Sequence, residues 1–314
     1  MAASITVLDT IAWAKPFVNW ANLAIGDNQE PAMSSANLAL QTIEGPPFVW
    51  PWNRNSGQII TTQGVQDYNS SIPTFGWLET ASIQPAAVIT GAALTNNVIT
   101  YDAINNFQAL LNNPKPFTVI VTGCTTGTFN VVRATITSAS PTQFTVKLTN
   151  PDILHETESG ALAVAGIIYP LELKWGSLTE ATEQDRPSFI SVQDTTESGV
   201  SAVFRLLPVP DQTYQLNLTY QNAPQQITDL GWTWGIPDQF QYIYSYFFLF
   251  LILDYFDDPR AARYRQLAVS SLLARQSGLS EMDRNLFIGN WLPLVAEEQA
   301  KQQSTTQGAE ARGQ

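Results

Sequence analysis

The chain contains a single histidine, His155, and a single cysteine, Cys124. Those two counts narrow the chemistry at once. A zinc centre built from His and Cys needs several such ligands, so none can form within this chain. One cysteine closes no intrachain disulfide. A Ser/His/Asp triad would have to use His155, which sits in the polar stretch "NPDILHETESG" and reads as an exposed loop histidine. Cys124, in the turn-like "TGCTTGT", reads as an incidental small residue rather than a nucleophile. The sequence has no HExxH, GxxxxGK[ST] or GxSxG pattern, so the local geometries those motifs encode are missing. Glycoside hydrolysis needs two facing carboxylates, and "LDYFDDPR" offers Asp254, Asp257 and Asp258. Their placement suits a helix end and the cap of the next helix better than a cleft. The expectation is therefore no catalytic residue, no metal and no cofactor.

What remains is a set of residues suited to contacts. Arg260, Arg263, Arg265, Arg275 and Arg284 fall in one short region, although the whole chain has only fifteen Lys plus Arg. They read either as a solvated face paired with Asp257, Asp258 and Glu281, or as a docking face for an acidic partner. Arg260, Arg263, Arg265 and Arg275, together with Glu297, Lys301 and Arg312 of the polar tail, are the candidate partner-contacting residues. Just before them runs "QYIYSYFFLFLILDYFDDPR" (241–260). Its Phe247, Phe248, Phe250, Tyr255 and Phe256, with Trp291 further on, are candidates for a bundle core or a contact between subunits. The uncharged run 240–253 covers about 21 Å as a helix, short of the roughly 30 Å hydrocarbon core of a bilayer. A membrane span is not expected.

Composition points the same way. Charged residues make up 13% of the 314 residues, against roughly 25% in a typical soluble domain. Nine Trp, fifteen Phe and ten Tyr accompany that low charge. Aromatic enrichment with charge depletion marks interface cores, although a β-rich protein also favours aromatics and Thr. The net charge of −12 opposes general affinity for nucleic acid or an anionic membrane. The first residues, "MAASITVLDTIAWAKPFVNWA", lack a basic n-region and do not read as a signal peptide.

The elements that must position these residues are legible in outline. "PAMSSANLALQTIE" (31–44) has apolar residues at helical spacing, with Pro31 in the first turn and "GPP" as a stop. Residues 48–83 break into short apolar runs with hairpin character. Residues 84–166 alternate with period two in "PFTVIVTG", "TFNVVRATITSAS" and "TQFTVKLTN" and predict an inserted β-sandwich or barrel, with one short helix in "DAINNFQALLNN". Strands continue through residue 221, where Tyr214, Leu216, Leu218 and Tyr220 share one face. Helices follow, with Asp238 and Asp258–Pro259 predicted as starts, Gly278 as a stop and "SEMD" (280–283) as a capping box opening a third segment. The fold class predicted is α+β. A helical bundle, one N-terminal helix plus C-terminal helices, carries a β-sheet part and is interrupted by the β module. The predicted domains are 1–83, 84–166, 167–296 and a polar tail 297–314, disordered until a partner orders it.

Several blocks together resemble a known family. These are "EPAMSSANLALQTI" (30–43), "PPFVWPWNRN" (46–55), "QDYNSSIPTFGWLE" (66–79), "DRPSFISVQ" (185–193), "FRLLPVPDQTYQLNLTYQ" (204–221), "IPDQFQYIYSYFFLFLILDYFDDPR" (236–260) and "GLSEMDRNLFIGNW" (278–291). Most of residues 30–291 outside the β module looks like the head-to-tail connector, adaptor or neck, proteins of tailed bacteriophages, including the adaptor of short-tailed phages. The resemblance implies a homo-oligomeric ring, commonly of twelve copies, seated on the portal protein and continuing the DNA channel toward the tail. It implies a terminal segment reaching into the portal, contacts with tail or other neck proteins, and a place in the virion neck after synthesis in the host cytoplasm. Genomic DNA would pass without sequence-specific binding, and an acidic wall would not hold it. Short-tailed adaptors lack a module like 84–166, so adaptor, stopper and tail-proximal roles stay open. Two rival readings are a tail or fibre-attachment protein whose β module and Trp residues bind glycan, and a virion glycosidase.

Overall fold

The computed structural model describes residues 4–18, 24–25, 29–70, 72, 74–104, 107–111, 117–174, 181–195, 202–275 and 281. The chain divides into two compact units, Met1–Arg54 with Gln221–Gln314, and Asn55–Tyr220.

Helix α1 (Val7–Ala14) opens the chain, ahead of the single N-terminal helix expected from 31–44. Its start is a capping box: the Thr6 hydroxyl accepts from the Asp9 amide, and the Thr6 amide donates to the Asp9 carboxylate at 2.9 Å. The short strands β1 (Ala24–Ile25) and β2 (Glu30–Pro31) pair antiparallel. Helix α2 (Ala32–Glu44) follows, with Pro31 at its N-cap and Gly45 at its end. In chain order come β3 (Arg54–Ile60), β4 (Asp67–Ser70), β5 (Phe75–Thr95), β6 (Val98–Ala103), α3 (Phe107–Leu111) and β7 (Thr118–Thr122). Next are β8 (Val131–Ala139), β9 (Gln143–Lys147), β10 (Ile153–Ala165), β11 (Tyr169–Leu173), β12 (Gln184–Asp185) and β13 (Phe189–Thr195). The chain continues through β14 (Ala202–Leu207), β15 (Val209–Pro210) and β16 (Tyr214–Asn222) to helices α4 (Gln241–Tyr255) and α5 (Ala261–Ala274).

In the unit Asn55–Tyr220, β5, β6, β9, β8, β7 and β10 pair antiparallel in that order. Strand β10 then returns to β5, as in the pair Val164↔Ala86, and closes a six-stranded barrel. Closure removes the exposed edges that make sheets prone to association. Phe144 and Val146, from the alternating stretch "TQFTVKLTN", point into its interior, where Ile89, Leu94, Ile99 and Tyr101 join them, all at most 1% exposed. Phe107 of α3 adds to this core. Strand β5 runs unbroken for 21 residues, so the predicted module boundary at residue 84 falls inside one strand. Before that point β5 pairs with β11, and the sheet runs on through β13 and β14 to β4. Strand β16 pairs with both β3 and β5. Tyr214, Leu216, Leu218 and Tyr220 all face a second core with Phe75, Leu78 and Phe204.

In the other unit α4 is the central element. Ile243, Tyr244, Phe247, Phe248, Leu249, Ile252 and Leu253 are all buried, on every side of the helix. A helix that is apolar all round needs cover all round. Helices α1, α2 and α5 pack against it, and Ile227, Leu230, Trp234 and Ile236 of the preceding loop join the same cluster. Asp238 is not the cap of α4. It begins a single 3-10 turn, Asp238–Phe240, and its carboxylate instead accepts from the amide and hydroxyl of Ser4 at 2.9 and 2.7 Å. Helix α5 begins at Ala261 rather than at Pro259, with Arg260 at the N-cap, and ends at Ala274. The Asp258 carboxylate still serves that start by accepting from the Arg260 amide at 2.9 Å. The predicted stop at Gly278 and most of the third helical segment lie outside the described residues.

Candidate functional site

Helices α1, α4 and α5 bring together side chains that no single stretch of sequence juxtaposes. Trp13 lies in the last turn of α1 and Phe17 in the turn just after it, while Tyr242 and Tyr246, four apart on α4, share one helical face. The Trp13 ring lies 5.7 Å from Phe17 and 6.0 Å from Tyr246. Tyr264 of α5 closes the group, 5.7 Å from Phe17 and 6.5 Å from Tyr246. Tyr242 sits 6.4 Å from Tyr246 at the far end. Trp13 is 39% exposed and the other four are half-buried. The result is one panel of rings that packs on the core below and presents its upper edges to solvent.

Arginines rim this panel. Arg260 donates to the backbone carbonyl of Phe17 at 2.9 Å and forks onto the Asp258 carboxylate, with Nη2 at 2.6 Å. Hydrogen bonding from Arg260 holds the Asp258 carboxyl below its usual range. Arg275 donates to the Tyr242 hydroxyl at 2.7 Å, and its guanidinium lies 5.8 Å from the Tyr242 ring centre. The Arg265 guanidinium lies 5.4 Å from the Phe250 ring centre, a cation–π distance. Arg263 is exposed and forms no ion pair with a described residue. Phe247, Phe248 and Phe250 are buried at 1, 0 and 5% in the core of this unit, whereas Tyr255 and Phe256 are exposed. Trp291, Glu297, Lys301 and Arg312 lie outside the described residues.

Trp13, Phe17, Tyr242, Tyr246 and Tyr264 are absent from the residues singled out by sequence. The Thr6-x-x-Asp9 capping box, which places α1 and hence the Trp13/Phe17 pair, was the available signal. Nothing local predicts that α5 lies beside α1.

The residues that suggested chemistry are placed apart. His155 belongs to strand β10, not to a loop. Its Nε2 lies 2.7 Å from Asp102 Oδ2, and Gln143 donates to Asp102 Oδ1 at 2.7 Å. These hydrogen bonds, that from His155 foremost, hold the Asp102 carboxyl below its usual range. A Cβ at position 91 would stand 2.6 Å from His155 Nε2, so Gly91 makes room for the pair. Among the described residues no hydroxyl bonds His155, so a nucleophilic triad is not assembled. Cys124 is buried, and burial together with Glu158 pushes its thiol up to about 11, which leaves it protonated and inert at neutral pH. Asp254 and Asp257 are exposed. A polar groove of about 880 Å³ runs along α2, lined by Glu30, Ser34, Asn37, Gln41 and Asp229 among others. It holds no group whose spacing suggests catalysis.

Known proteins were compared with this chain as a whole. The model of the SU10 adaptor protein family matches residues 73–286, well over half of its length. That span includes the barrel, strands β11 to β16 and helices α4 and α5, and leaves out β3 and β4. No curated protein matches the chain.

Proposed function

The chain belongs to the SU10 adaptor protein family, and from that membership we propose that it is a ring-forming connector of a tailed-phage neck. In this reading it joins the portal to the tail, and twelve or a similar number of copies line the channel through which DNA leaves. It works as a structural part and not as an enzyme. The family match carries the reading.

Three features of the molecule support it. The panel of Trp13, Phe17, Tyr242, Tyr246 and Tyr264, rimmed by Arg260 and Arg275, has the aromatic and arginine make-up of interface hot spots. We assign it to contacts between virion proteins, with Arg263 free to meet an acidic surface. The net charge of −12 suits a wall past which DNA slides. Low overall charge with many aromatics suits a protein that ends up covered by neighbours. The glycan-binding alternative draws no support from the barrel, because residues 84–166 contain no tryptophan. Among the described residues the exposed tryptophans, Trp13 and Trp232, lie in the helical unit.

Mass photometry and negative-stain imaging of the purified chain, alone and mixed with the cognate portal, test this. Closed rings, or ring density added to the portal, are the expected result. A chain that stays monomeric in both conditions overturns it.

A further inference from the structure

The barrel carries a pair of carboxylates that its own cations do not answer. Glu156 and Glu158 are two residues apart on β10, so they share one face of that strand. Both reach the turn after β7. The Glu158 Oε2 accepts from the Thr125 amide at 2.8 Å, and the Glu156 Oε2 accepts from the Thr126 hydroxyl at 2.5 Å. Glu158 is only 4% exposed. Its second oxygen, Oε1, is buried and has no hydrogen-bond partner among the described residues. Among the described residues neither glutamate forms an ion pair.

That combination is physically unusual. Buried charges in proteins are paired with an opposite charge or coordinate a metal, because an unpaired buried carboxylate is strongly disfavoured. Here the second carboxylate makes matters worse unless a cation sits between them. The donors within reach are the Glu156 and Glu158 oxygens and the Thr126 hydroxyl, all hard oxygens of the kind that Ca²⁺ prefers. Thr125 and Glu156 are not buried, so an ion can reach the site from solvent.

We propose that Glu156, Glu158 and the Thr125–Thr126 turn form a Ca²⁺ site that pins the β7–β8 connection to β10. No third Asp, Glu, His or Cys completes a cluster among the described residues. Water fills the remaining positions, and affinity falls in the roughly 10⁻⁴–10⁻³ M range of weak extracellular modules. The Gly123 and Gly160 backbones allow the two segments to close on each other. Both have positive φ, and a Cβ on Gly123 would stand 3.2 Å from the Gly160 carbonyl oxygen.

Equilibrium dialysis and thermal melts of the full chain in CaCl₂, MgCl₂ or EDTA test the proposal, using wild type, Glu156→Gln and Glu158→Gln. One Ca²⁺ per chain is expected, with a melting transition raised by about 2 °C at ten times the dissociation constant. Both effects are lost in either variant, and Glu156→Gln keeps the test readable if Glu158→Gln folds poorly. A wild-type transition indifferent to CaCl₂ overturns it. So does a Ca²⁺ effect that survives both substitutions, or a Glu158→Gln chain more stable than wild type whether or not Ca²⁺ is present. None of these results depends on ring assembly.

Discussion

The Tyr244 hydroxyl donates to the backbone carbonyl of Ala36 at 2.5 Å, in the dry contact between α4 and α2. Both residues are fully buried. The central helix of the bundle is thereby held to α2 by a directional bond as well as by packing. A Tyr244→Phe substitution keeps the ring and removes only this bond. It should lower stability by about 1 kcal/mol, the net value of an ordinary hydrogen bond. Urea unfolding at constant m-value checks it, and an unchanged midpoint would show that the bond contributes nothing.

Glu44 gives the same unit a pH dependence. It lies buried in the last turn of α2, and burial pushes its carboxyl from 4.5 up to about 7. The negative end of the helix dipole works in the same direction. The Trp52 indole N–H faces the carboxyl and eases this only slightly, short of a well-formed hydrogen bond. Between pH 4.5 and about 7 the folded chain keeps a proton that the unfolded chain has lost. Stability is therefore full below that window and falls as pH rises through it, by about 3 kcal/mol in all. Glu44→Gln should flatten this slope and be the more stable protein at pH 8. Thermal melts at pH 5 and pH 8 read both effects, and parallel curves for the two proteins would count against it.

In the unit Asn55–Tyr220, Arg205 forks onto Asp67 with both N···O distances at 2.7 Å, across the β14–β4 register. Hydrogen bonding from Arg205 keeps the Asp67 carboxyl below its usual 3.8. The pair's contribution is thus present above pH 3.8 and fades as pH falls through the lower folded value. Asp67 is partly exposed, so Arg205→Met should cost no more than about 1 kcal/mol. Faster amide exchange confined to β4 is the expected signature.

Assembly is tested at the aromatic panel. Arg263→Glu changes an exposed side chain and should leave the circular dichroism spectrum unaltered. Trp13→Ala removes the most exposed ring of the panel. Each should weaken ring formation or portal binding at least tenfold, as loss of an interface hot spot does. Unchanged ring order in both variants would move the interface elsewhere.

Much of the fold is written locally. Period-two alternation in 84–166 was enough to predict a β-sandwich or barrel, because strands half-buried on one side cannot hide their pattern, and only the closing pair of β10 with β5 decided for the barrel. The run from Tyr214 to Tyr220 predicted its buried face in the same way. Helix α2 was read from its apolar spacing to within one residue. Helix ends were less legible. Asp238 and Asp258 look like caps, yet Asp238 is claimed by Ser4, and α5 starts three residues after Asp258. A capping residue signals a helix start only when nothing distant competes for its carboxylate.

The sequence by itself determined the composition of this protein's contacts: few charges, many rings, and arginines gathered after one long apolar helix. It also determined that His/Cys metal chemistry is out of reach. Only the tertiary structure decided which rings are spent on the core and which are left over. Phe247 and Phe248 are consumed because α1, α2, α5 and the Ile227–Ile236 residues surround α4. Trp13 remains half-available because it stands where α1 ends its cover. The same holds for Glu156 and Glu158. In sequence they are two polar residues of a loop-like stretch. They become an unanswered pair of charges only when barrel closure brings β10 against β7 and the turn that follows it. Side-chain type and spacing are local properties, whereas burial and the identity of the neighbour depend on segments far apart in the chain.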